Sequence, residues 1–339
     1  MPLNKLFSLQ FRPWIHGIKR AGFHEVSFFF DHLFSGTIDT SKSIIVSGFW
    51  RSGTTWLQQL LASVSRAKSV FEPFYPEVLW NHKTFIYRNL PNKSSCFLQT
   101  YMPFYEHDFS TNLEMKSFLD KVITSDIKSV WLRRGRKNIS DSFHRRTVIK
   151  MVRGQLCLNA IHKTFHCTIV HIYRDPRAIL ASVKRGNWWK DWLDSFSLRE
   201  QLLEQPDNRN TFFGKWKEDI VRYDRQSPEQ RVVAYWALTE LYVQHCISQY
   251  GTPINFICYD DLYSHGKQII YNILDRVHLS YDKKEEIDLD MPSSTSRHKR
   301  DLLSFEQKKN SWKNELKPRI SHLAESIAVR FGLEDRLKQ

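Results

Sequence analysis

The sequence predicts an α/β fold in which helices cover both faces of a parallel β-sheet. Two observations support this prediction. First, short apolar runs rich in β-branched residues, which are typical of buried strands, alternate along the chain with segments of helical periodicity. Second, the earliest apolar run leads into a glycine-containing loop and then a helical segment, which is the order of elements that binds phosphate in α/β folds. Such alternation implies parallel strands joined by crossover helices.

The apolar runs predict four strands, at 43–47, 147–152, 168–173 and 254–259. Helices are predicted at 56–61, from Pro176 onward, at 229–249 and at 264–279. The segment 184–230 is rich in tryptophan, charge and turn residues, and it is predicted to form an insertion or a lid. No Pro/Gly/Ser-rich linker divides the chain. The sequence therefore predicts a helical arm at 1–42, followed by one large domain at 43–339.

The composition restricts the class of protein. Of the 339 residues, 41% are hydrophobic, which is enough to build a core and excludes wholesale disorder. The 12 glycines and 12 prolines are too few for a collagen-like or low-complexity chain. The 50 Lys and Arg against 36 Asp and Glu give a net charge of +14, which indicates an anionic partner. Nucleic acid, a membrane surface and a small anionic ligand or acceptor all remain open at this point.

The cysteines and the lengths of the apolar runs indicate the cellular compartment of the protein. The five cysteines form no CxxC pair, so a structural zinc site is not predicted. Most lie in apolar surroundings and are interpreted as small buried hydrophobes, which favours a reducing, cytoplasmic environment. No apolar run is long enough for a signal peptide or a membrane span, although a lumenal fragment of a membrane-anchored enzyme would show the same features. The aromatic, basic residues 1–40 are predicted to pack on the body or to contact a membrane surface.

The loop after the first predicted strand carries the most specific motif. Its sequence, Gly-Phe-Trp-Arg-Ser-Gly-Thr-Thr at 48–55, has two glycines at the spacing of a nucleotide-binding P-loop. Backbone N–H groups and the N-terminus of the next helix can hold an anion in such a loop. A nucleoside-triphosphate P-loop has lysine directly after the second glycine, whereas this chain has Thr54 there and places its cation at Arg51. That difference argues against an ordinary kinase or GTPase.

The same loop resembles the 5′-phosphosulfate loop of sulfotransferases that use 3′-phosphoadenosine 5′-phosphosulfate (PAPS). Cytosolic members of that family have lysine at the position of Arg51, and several carbohydrate and tyrosylprotein sulfotransferases have arginine there, as this chain does. The resemblance extends over about residues 43–332 and implies a P-loop NTPase-like sheet. It also implies that the loop binds PAPS through Arg51, Ser52, Gly53, Thr54 and Thr55.

A second motif follows the third predicted strand. The segment Tyr-Arg-Asp-Pro-Arg at 173–177, with the serine at 182, is similar to the family's 3′-phosphate motif, in which an arginine and a serine eight residues later bind that phosphate. Arg174 and Ser182 match these two positions. Arginine offers planar charged donors to phosphate, and a helical serine adds a neutral donor. Such a clamp distinguishes PAPS from ATP, which lacks the 3′-phosphate. Taken alone, the segment fits a salt-bridge cluster at a helix start equally well.

Further similarities concern the adenine and a closing loop. Tyr259, in Tyr-Asp-Asp-Leu at 259–262, resembles the tyrosine of the family's Tyr-Glu-Asp-Leu motif, and Trp56 matches a tryptophan that stacks on adenine in cytosolic members. Core packing is the structural alternative for both side chains. Ser296 and Arg297 look like part of the family's late loop, which closes over the cofactor. The resemblance implies no metal, and it implies that PAPS leaves as 3′-phosphoadenosine 5′-phosphate (PAP).

Sulfuryl transfer needs a base for the acceptor and positive charge for the leaving group. Arg51 is predicted to serve the leaving group. The cytosolic branch uses a histidine in a sequence like Ile-Lys-Thr-His, but Val152 stands at that position here. The tyrosylprotein and carbohydrate branches have an acidic residue about twenty residues after the loop cation, and Glu72 lies twenty-one residues after Arg51. Glu72 is therefore the predicted base, with a structural salt bridge as its alternative role.

The acceptor is predicted from charge and aromatic residues outside these motifs. The segment 131–146 holds six Arg and Lys and one Asp, and three tryptophans lie between 188 and 192. A basic, aromatic cleft suits an anionic glycan, so the predicted reaction transfers a sulfuryl group from PAPS to a hydroxyl or amine of a carbohydrate. The alternatives are sulfation of a protein tyrosine, a lipid or a small molecule, a nucleotide kinase with an atypical P-loop, and a nucleic-acid binder, which no recognised motif supports. Secondary site candidates are His82 and His107 as bases and Lys150 and Arg153 as electrostatic helpers.

Overall fold

The architecture is described from a computed structural model of the chain. The structure describes residues 22–81, 101–136, 138–185, 196–277, 287–291, 293 and 311–337. Several predicted features lie outside these residues: the cofactor contacts Ser296 and Arg297, the candidate base His82 and the tryptophans between 188 and 192.

Five parallel strands form the sheet in the described part of the chain. They are β1 (Ile44–Ser47), β2 (Lys68–Phe71), β3 (Thr147–Lys150), β4 (Thr168–Tyr173) and β5 (Ile254–Cys258). Their order across the sheet is β2-β3-β1-β4-β5, and every neighbouring pair is parallel. The predicted parallel sheet is thereby confirmed. Because β1 lies between β3 and β4, its carboxyl end opens where the connections diverge to opposite sides, which is the usual ligand crevice of such sheets.

Helices connect the strands and continue after them. In chain order they are α1 (22–34), α2 (Thr54–Val64), α3 (Pro76–Asn81), α4 (Leu113–Ile123), α5 (Leu158–Phe165), α6 (Pro176–Arg185), α7 (Leu198–Leu202), α8 (Asn210–Phe213), α9 (Lys217–Asp224), α10 (Pro228–Tyr250), α11 (Leu262–Arg276) and α12 (Pro318–Arg330). All four predicted helices form within the described residues, where the one predicted at 264–279 spans Leu262–Arg276. Local sequence sets the ends of α10, because Ser227 and Gln230 make a capping box at its start and Gly251 adopts a left-handed φ of 64° at its end.

Alternation along the strands sends apolar side chains to both faces of the sheet. On one face, Ile44 and Val46 pack against α2 and α11. On the other face, Ile45 packs against α4 and α5. β1, β2 and β3 are buried along their whole length, as parallel strands covered on both sides should be. The prediction that helices cover both faces is therefore confirmed.

The structure differs from the predicted elements in two places. β2 is absent from the prediction because its sequence, Lys-Ser-Val-Phe, contains only two apolar residues and lacks a strand pattern. The described part of 184–230 is not a lid, because α7, α8 and α9 occupy it and their side chains belong to the core. Leu198, Phe213 and Ile220 are fully buried there. The tryptophans and charges of that segment conceal these helices in the sequence.

The four cysteines that the structure describes are buried and free, which confirms their interpretation as small hydrophobes. Within the described residues, none of the helices combines the length and the apolar character that a membrane crossing requires. In the same ranges, no group of three or more His, Cys, Asp or Glu side chains is arranged to hold a metal ion.

A buried cluster of charges holds α1 on the body of the protein. Asp31 of α1 is fully buried, and its carboxylate lies 3.2 Å from Lys68 Nζ, 3.0 Å from Arg133 Nε and 2.6 Å from Arg136 Nη1. Burial acts to raise the pKa of Asp31, but the three neighbouring cations outweigh it, and the pKa lies below its ordinary value. One carboxylate is thus the shared partner of three buried cations, and these ion pairs hold α1 against the body.

Candidate active site

The loop at 48–53 joins the carboxyl end of β1 to the start of α2. Gly48 is required at its beginning, because a Cβ atom there would lie 2.4 Å from the carbonyl oxygen of Ile172 in β4. Leu57 N–H donates to the Gly53 carbonyl oxygen at 3.0 Å and so closes the first turn of α2. The N–H groups before it have no acceptor within the helix, and they face out of its N-terminus. The loop and helix therefore have the geometry that binds an anion.

Arg51 combines a rare backbone conformation with a defined side-chain contact. Its φ is 65°, in the left-handed region that non-glycine residues seldom occupy. Its Nε donates to Ser182 Oγ of α6 at 2.8 Å, although the two residues are 131 positions apart. The two predicted phosphate motifs are thus in direct contact. Backbone conformations of this kind cluster at functional sites, which supports a functional interpretation of the loop.

Arg174 and two aromatic rings complete this side of the site. Arg174 follows β4, and its Nη1 donates to the carbonyl oxygen of Arg51 at 3.2 Å. Its guanidinium carbon lies 4.2 Å from the centroid of the Tyr259 ring. Tyr259 follows β5 and meets the Trp56 ring edge to face, with 6.4 Å between centroids. The structure therefore gathers these residues and Ser182 around one loop.

Two buried polar atoms in this group have no hydrogen-bond partner among the described residues. They are Ser52 Oγ and Arg174 Nε. Buried polar atoms are nearly always hydrogen-bonded in folded proteins, so both atoms indicate a polar ligand. The donors here are a hydroxyl group, two guanidinium groups and a helix N-terminus. A ligand bearing phosphate groups fits this donor set.

Glu72 lies at the carboxyl end of β2, beside the carboxyl end of β3. Its Oε1 is 2.8 Å from Lys150 Nζ, and both side chains are buried. Its Oε2 is buried and has no hydrogen-bond partner among the described residues. Its φ of 47° is left-handed, as at Arg51. The salt bridge named above as the alternative role of Glu72 is therefore present, and it uses only one of the two carboxylate oxygens.

Burial and neighbouring charges change the titration of the groups around this pair. Burial lowers the pKa of Lys150, which Glu72 opposes and Arg51 and Arg153 reinforce. Burial raises the pKa of Tyr101 well above its ordinary value, and the Glu72 carboxylate adds to that rise. The charge of Arg51 acts on both Lys150 and Tyr101. The loop at 48–53 therefore lies close enough to the Glu72–Lys150 pair for the charge of Arg51 to act on it.

An aromatic and cationic wall borders Glu72. Tyr75 N–H donates to the Glu72 carbonyl oxygen at 3.1 Å, and the Tyr75 ring stacks on Trp131 with 3.7 Å between centroids. The guanidinium of Arg134 lies 5.1 Å from the Trp131 ring centroid, and that of Arg153 lies 5.8 Å from the Tyr75 ring centroid. Trp131 and Tyr75 are half-buried, so parts of both rings are accessible.

The basic segment 131–146 serves two places in the structure. Arg134 borders the site, whereas Arg133 and Arg136 are buried against Asp31. The sequence predicts that this basic segment lines an acceptor cleft. Only part of its positive charge lies beside Glu72, because Arg133 and Arg136 pair with Asp31 instead.

Two other predicted features fall into different surroundings. His107 Nε2 lies 2.8 Å from the Tyr105 hydroxyl oxygen within an aromatic cluster, and burial lowers the pKa of His107. Arg177 pairs with Asp175 at 2.6 Å, so the motif at 173–177 contains a salt bridge as well as Arg174. The salt-bridge interpretation of that motif is therefore correct for Arg177 and Asp175, and phosphate binding by Arg174 stays a prediction.

Three buried polar residues form a hydrogen-bonded chain at the end of β1, directly before the loop, and no sequence motif marks them. Ser47 Oγ lies 3.2 Å from His171 Nδ1, and His171 Nε2 lies 3.1 Å from Oε1 of Glu240 on α10. All three side chains are fully buried. Ser47 and His171 are register partners in the β1–β4 pairing, so only the sheet brings them together. Each is a single polar residue in an apolar run, which no spacing pattern marks.

The fold and the loop define an α/β protein of the P-loop type. Within it, residues 43–283 match the model of a family described as the sulfotransferase family. The chain therefore belongs to the sulfotransferase family, whose members transfer a sulfuryl group.

Several solved structures are similar to the chain at low sequence identity. A sulfotransferase domain from the curacin biosynthetic pathway is 17% identical, with a TM-score of 0.46, over 87% of this chain and 98% of that one. Retinol dehydratase in complex with androsterone and the inactive cofactor PAP is 15% identical, with a TM-score of 0.41, over 88% of this chain and 83% of that one. Retinol dehydratase in a complex with retinol and PAP is 13% identical, with a TM-score of 0.38 and the same coverage of 88% and 83%. No curated protein matches the chain.

Proposed function

We propose that this sulfotransferase transfers the sulfuryl group of PAPS to a hydroxyl or amine of a carbohydrate acceptor, with Glu72 as the base. One observation supports the proposal most strongly. Arg51 and Ser182, which belong to separate predicted phosphate motifs, are in contact at 2.8 Å, and the charge of Arg51 acts on Lys150 of the buried Glu72–Lys150 pair. This supports a site in which a loop suited to phosphate and a buried carboxylate act together, as an in-line transfer between a nucleotide donor and a hydroxyl acceptor requires.

The donor set around the loop fits PAPS. PAPS supplies the sulfuryl group and leaves as PAP. The residues that would hold it are Arg51, Ser52, Gly53, Thr54 and Thr55 at the 5′ end, Arg174 and Ser182 at the 3′-phosphate, and Trp56 and Tyr259 at the adenine. Ser296 and Arg297, outside the described residues, remain proposed contacts of a closing loop. The buried Ser52 Oγ and Arg174 Nε support this assignment, because both lack partners among the described residues.

Glu72 and Arg51 have separate roles in the proposed reaction. Glu72 Oε2 accepts the proton of the acceptor hydroxyl as that oxygen attacks sulfur. The Arg51 side chain neutralises negative charge on the leaving phosphate oxygen. Lys150 holds Glu72 Oε1 at 2.8 Å and so orients the carboxylate. As in phosphoryl transfer, positioning and electrostatic stabilisation supply most of the rate.

A carbohydrate acceptor is supported by the wall beside Glu72. The half-buried rings of Trp131 and Tyr75 offer apolar faces, and Arg134 and Arg153 offer charged hydrogen-bond donors. A glycan bearing carboxylate or sulfate groups presents both apolar ring faces and anionic groups. An acceptor screen with sulfur-labelled PAPS tests this choice, with a glycan, a tyrosyl peptide, a lipid and a small alcohol as parallel arms. Transfer of label only to the peptide, the lipid or the small alcohol would contradict the assignment of a carbohydrate acceptor.

Binding of PAP is the direct test of the donor assignment. At a hundredfold excess over its Kd, a ligand that binds only the folded state stabilises it by about 2.7 kcal/mol. Thermal unfolding should therefore shift upward with PAP and remain unchanged with ATP and Mg²⁺. The opposite pattern would favour the nucleotide kinase and contradict the proposal.

Gly53→Ala is expected to abolish the stabilisation by PAP. An added Cβ would lie 2.5 Å from the Tyr259 ring, so the ring must leave the loop. The φ of 94° at this position adds about 1–2 kcal/mol of strain to any residue with a Cβ. Gly214→Ala is the matched control, because open space surrounds its added Cβ and its φ of −59° is helical. An undiminished PAP response in Gly53→Ala would contradict the placement of the nucleotide at this loop.

A further inference from the structure

The outward side of α1 is apolar and exposed. Val26, Phe29 and Leu33 are 42%, 62% and 59% exposed. Their spacing of three and four residues places them on one side of the helix. Ser27 and Asp31, on the opposite side, are fully buried against the body. α1 therefore exposes these apolar residues to solvent, on the side where a surface helix normally carries polar residues.

This apolar surface continues onto the short helical turn Ile139–Phe143. Phe143 is 49% exposed, and its ring lies 5.0 Å from that of Phe30 on α1. Ile139, one turn earlier, is 38% exposed. We call the set Val26, Phe29, Leu33, Ile139 and Phe143 the N-terminal apolar face. It contains five of the ten large apolar side chains that are exposed in the described part of the chain, so the exposure is concentrated rather than scattered.

Positive charge precedes this face along the sequence, and on α1 itself the exposed Glu25 is paired with Lys128. The 21 residues that precede α1 contain four Lys or Arg and no Asp or Glu, interspersed with aromatic and aliphatic residues. Arg145, two residues after Phe143, is exposed. The whole chain has a net charge of +14. Apolar side chains flanked by Lys and Arg are typical of segments that lie on anionic lipid, where each cation near the surface adds attraction.

A second copy of this chain is a less suitable occupant of the same face. A symmetric dimer would bring two identical surfaces together, along with two copies of the basic sequence that precedes α1. Such like-charge contacts oppose association. An anionic bilayer offers both an apolar interior for Phe29 and Leu33 and negative headgroups for Arg145 and for the Lys and Arg that precede α1 in the sequence.

We propose that the N-terminal apolar face binds an anionic membrane surface. The binding leaves the active site accessible. α1 contacts Lys68, the first residue of β2, whereas Glu72 follows the last residue of that strand. The face thus lies toward the amino ends of the strands and the site at their carboxyl ends. The protein can then be held on a membrane through α1 while its site stays open to donor and acceptor.

Flotation of the full chain with lipid vesicles tests the proposal. Wild type is expected to float with phosphatidylcholine vesicles that contain phosphatidylserine, and binding should weaken with added salt. Phe29→Glu with Leu33→Glu should reduce that binding by about tenfold or more, because charged groups then face the lipid. Val329→Glu is the matched control, since Val329 is 56% exposed on α12, away from the face. The stabilisation by PAP should be unchanged in both variants, which shows that they fold.

Three outcomes would overturn the proposal. One is failure of wild type to bind the anionic vesicles. Another is equal binding by wild type and the double variant. The third is a wild-type dimer in sedimentation analysis that the double variant dissociates, because the face would then belong to a second copy.

Discussion

Glu72→Gln is expected to lower kcat for sulfuryl transfer by about 10²–10⁴-fold, the usual contribution of a positioned general base. Glutamine keeps the shape of the side chain but cannot take the acceptor proton. PAP should still stabilise the variant, because Arg51, Arg174 and Ser182 are unchanged. The measurements are initial rates with labelled PAPS and the acceptor found by the screen, together with thermal unfolding in the presence of PAP. Arg51→Ala should differ by weakening both the rate and the response to PAP.

The ion pair with Lys150 complicates this substitution, because Glu72→Gln leaves a buried ammonium without its anion. Breaking such a pair can destabilise a protein by about 3–5 kcal/mol without any role in chemistry. Lys150→Met provides the necessary second background. If Glu72 is only structural, Glu72→Gln should cost no activity once Lys150 has been replaced. If Glu72 is the base, the same substitution should lower kcat in both backgrounds, even where the double variant recovers stability. Equal turnover by Lys150→Met and the double variant would contradict the assignment.

The strands that the sequence predicts are those whose burial is visible in local composition. β1, β4 and β5 are predominantly apolar runs, because helices cover both faces of the sheet. β2 is equally buried but begins with Lys68 and Ser69. Lys68 is tolerated there because Asp31, 37 residues earlier, lies 3.2 Å from its ammonium nitrogen. A contact between residues far apart in the sequence thus permits the burial of β2, and no local sequence pattern indicates that contact.

The candidate site residues divide in the same way: a local sequence motif predicts some of them, and only the folded sheet brings the others together. The loop at 48–55 and the spacing of Arg174 and Ser182 can be recognised from neighbouring residues alone. The Glu72–Lys150 pair depends on the parallel pairing of β2 with β3, in which Phe71 is the register partner of Lys150. Because β2 is the strand that the sequence does not reveal, the partner of Glu72 could be stated only as a general salt bridge. The β2–β3 pairing is therefore needed to see that Glu72 can be the proposed base and also form an ion pair with Lys150.

Asp31→Asn is expected to lower the free energy of unfolding by about 3–5 kcal/mol at neutral pH, because it removes the carboxylate with which buried Lys68, Arg133 and Arg136 pair. Glu25→Gln on the same helix is the matched control. Its pair with Lys128 is more than half exposed on both sides and should contribute at most about 1 kcal/mol. Lys68→Met introduced into the Asp31→Asn variant should recover part of the loss, since it removes one uncompensated charge. Urea unfolding of the four proteins measures these differences.

The effect of Asp31 should also depend on pH in one direction. Three cations hold its pKa in the folded state below the ordinary value of about 3.9, despite burial. Its stabilisation is therefore fully present above that pH and is lost as the pH falls through the lower, folded-state pKa. The gap between wild type and Asp31→Asn should narrow in acid, whereas a pure packing defect would persist. Asp31 precedes the matched residues 43–283, so a loss of several kcal/mol would mean that the sulfotransferase domain depends on α1 for its stability. A loss no larger than that of Glu25→Gln would mean that α1 is held by packing alone, contrary to this expectation.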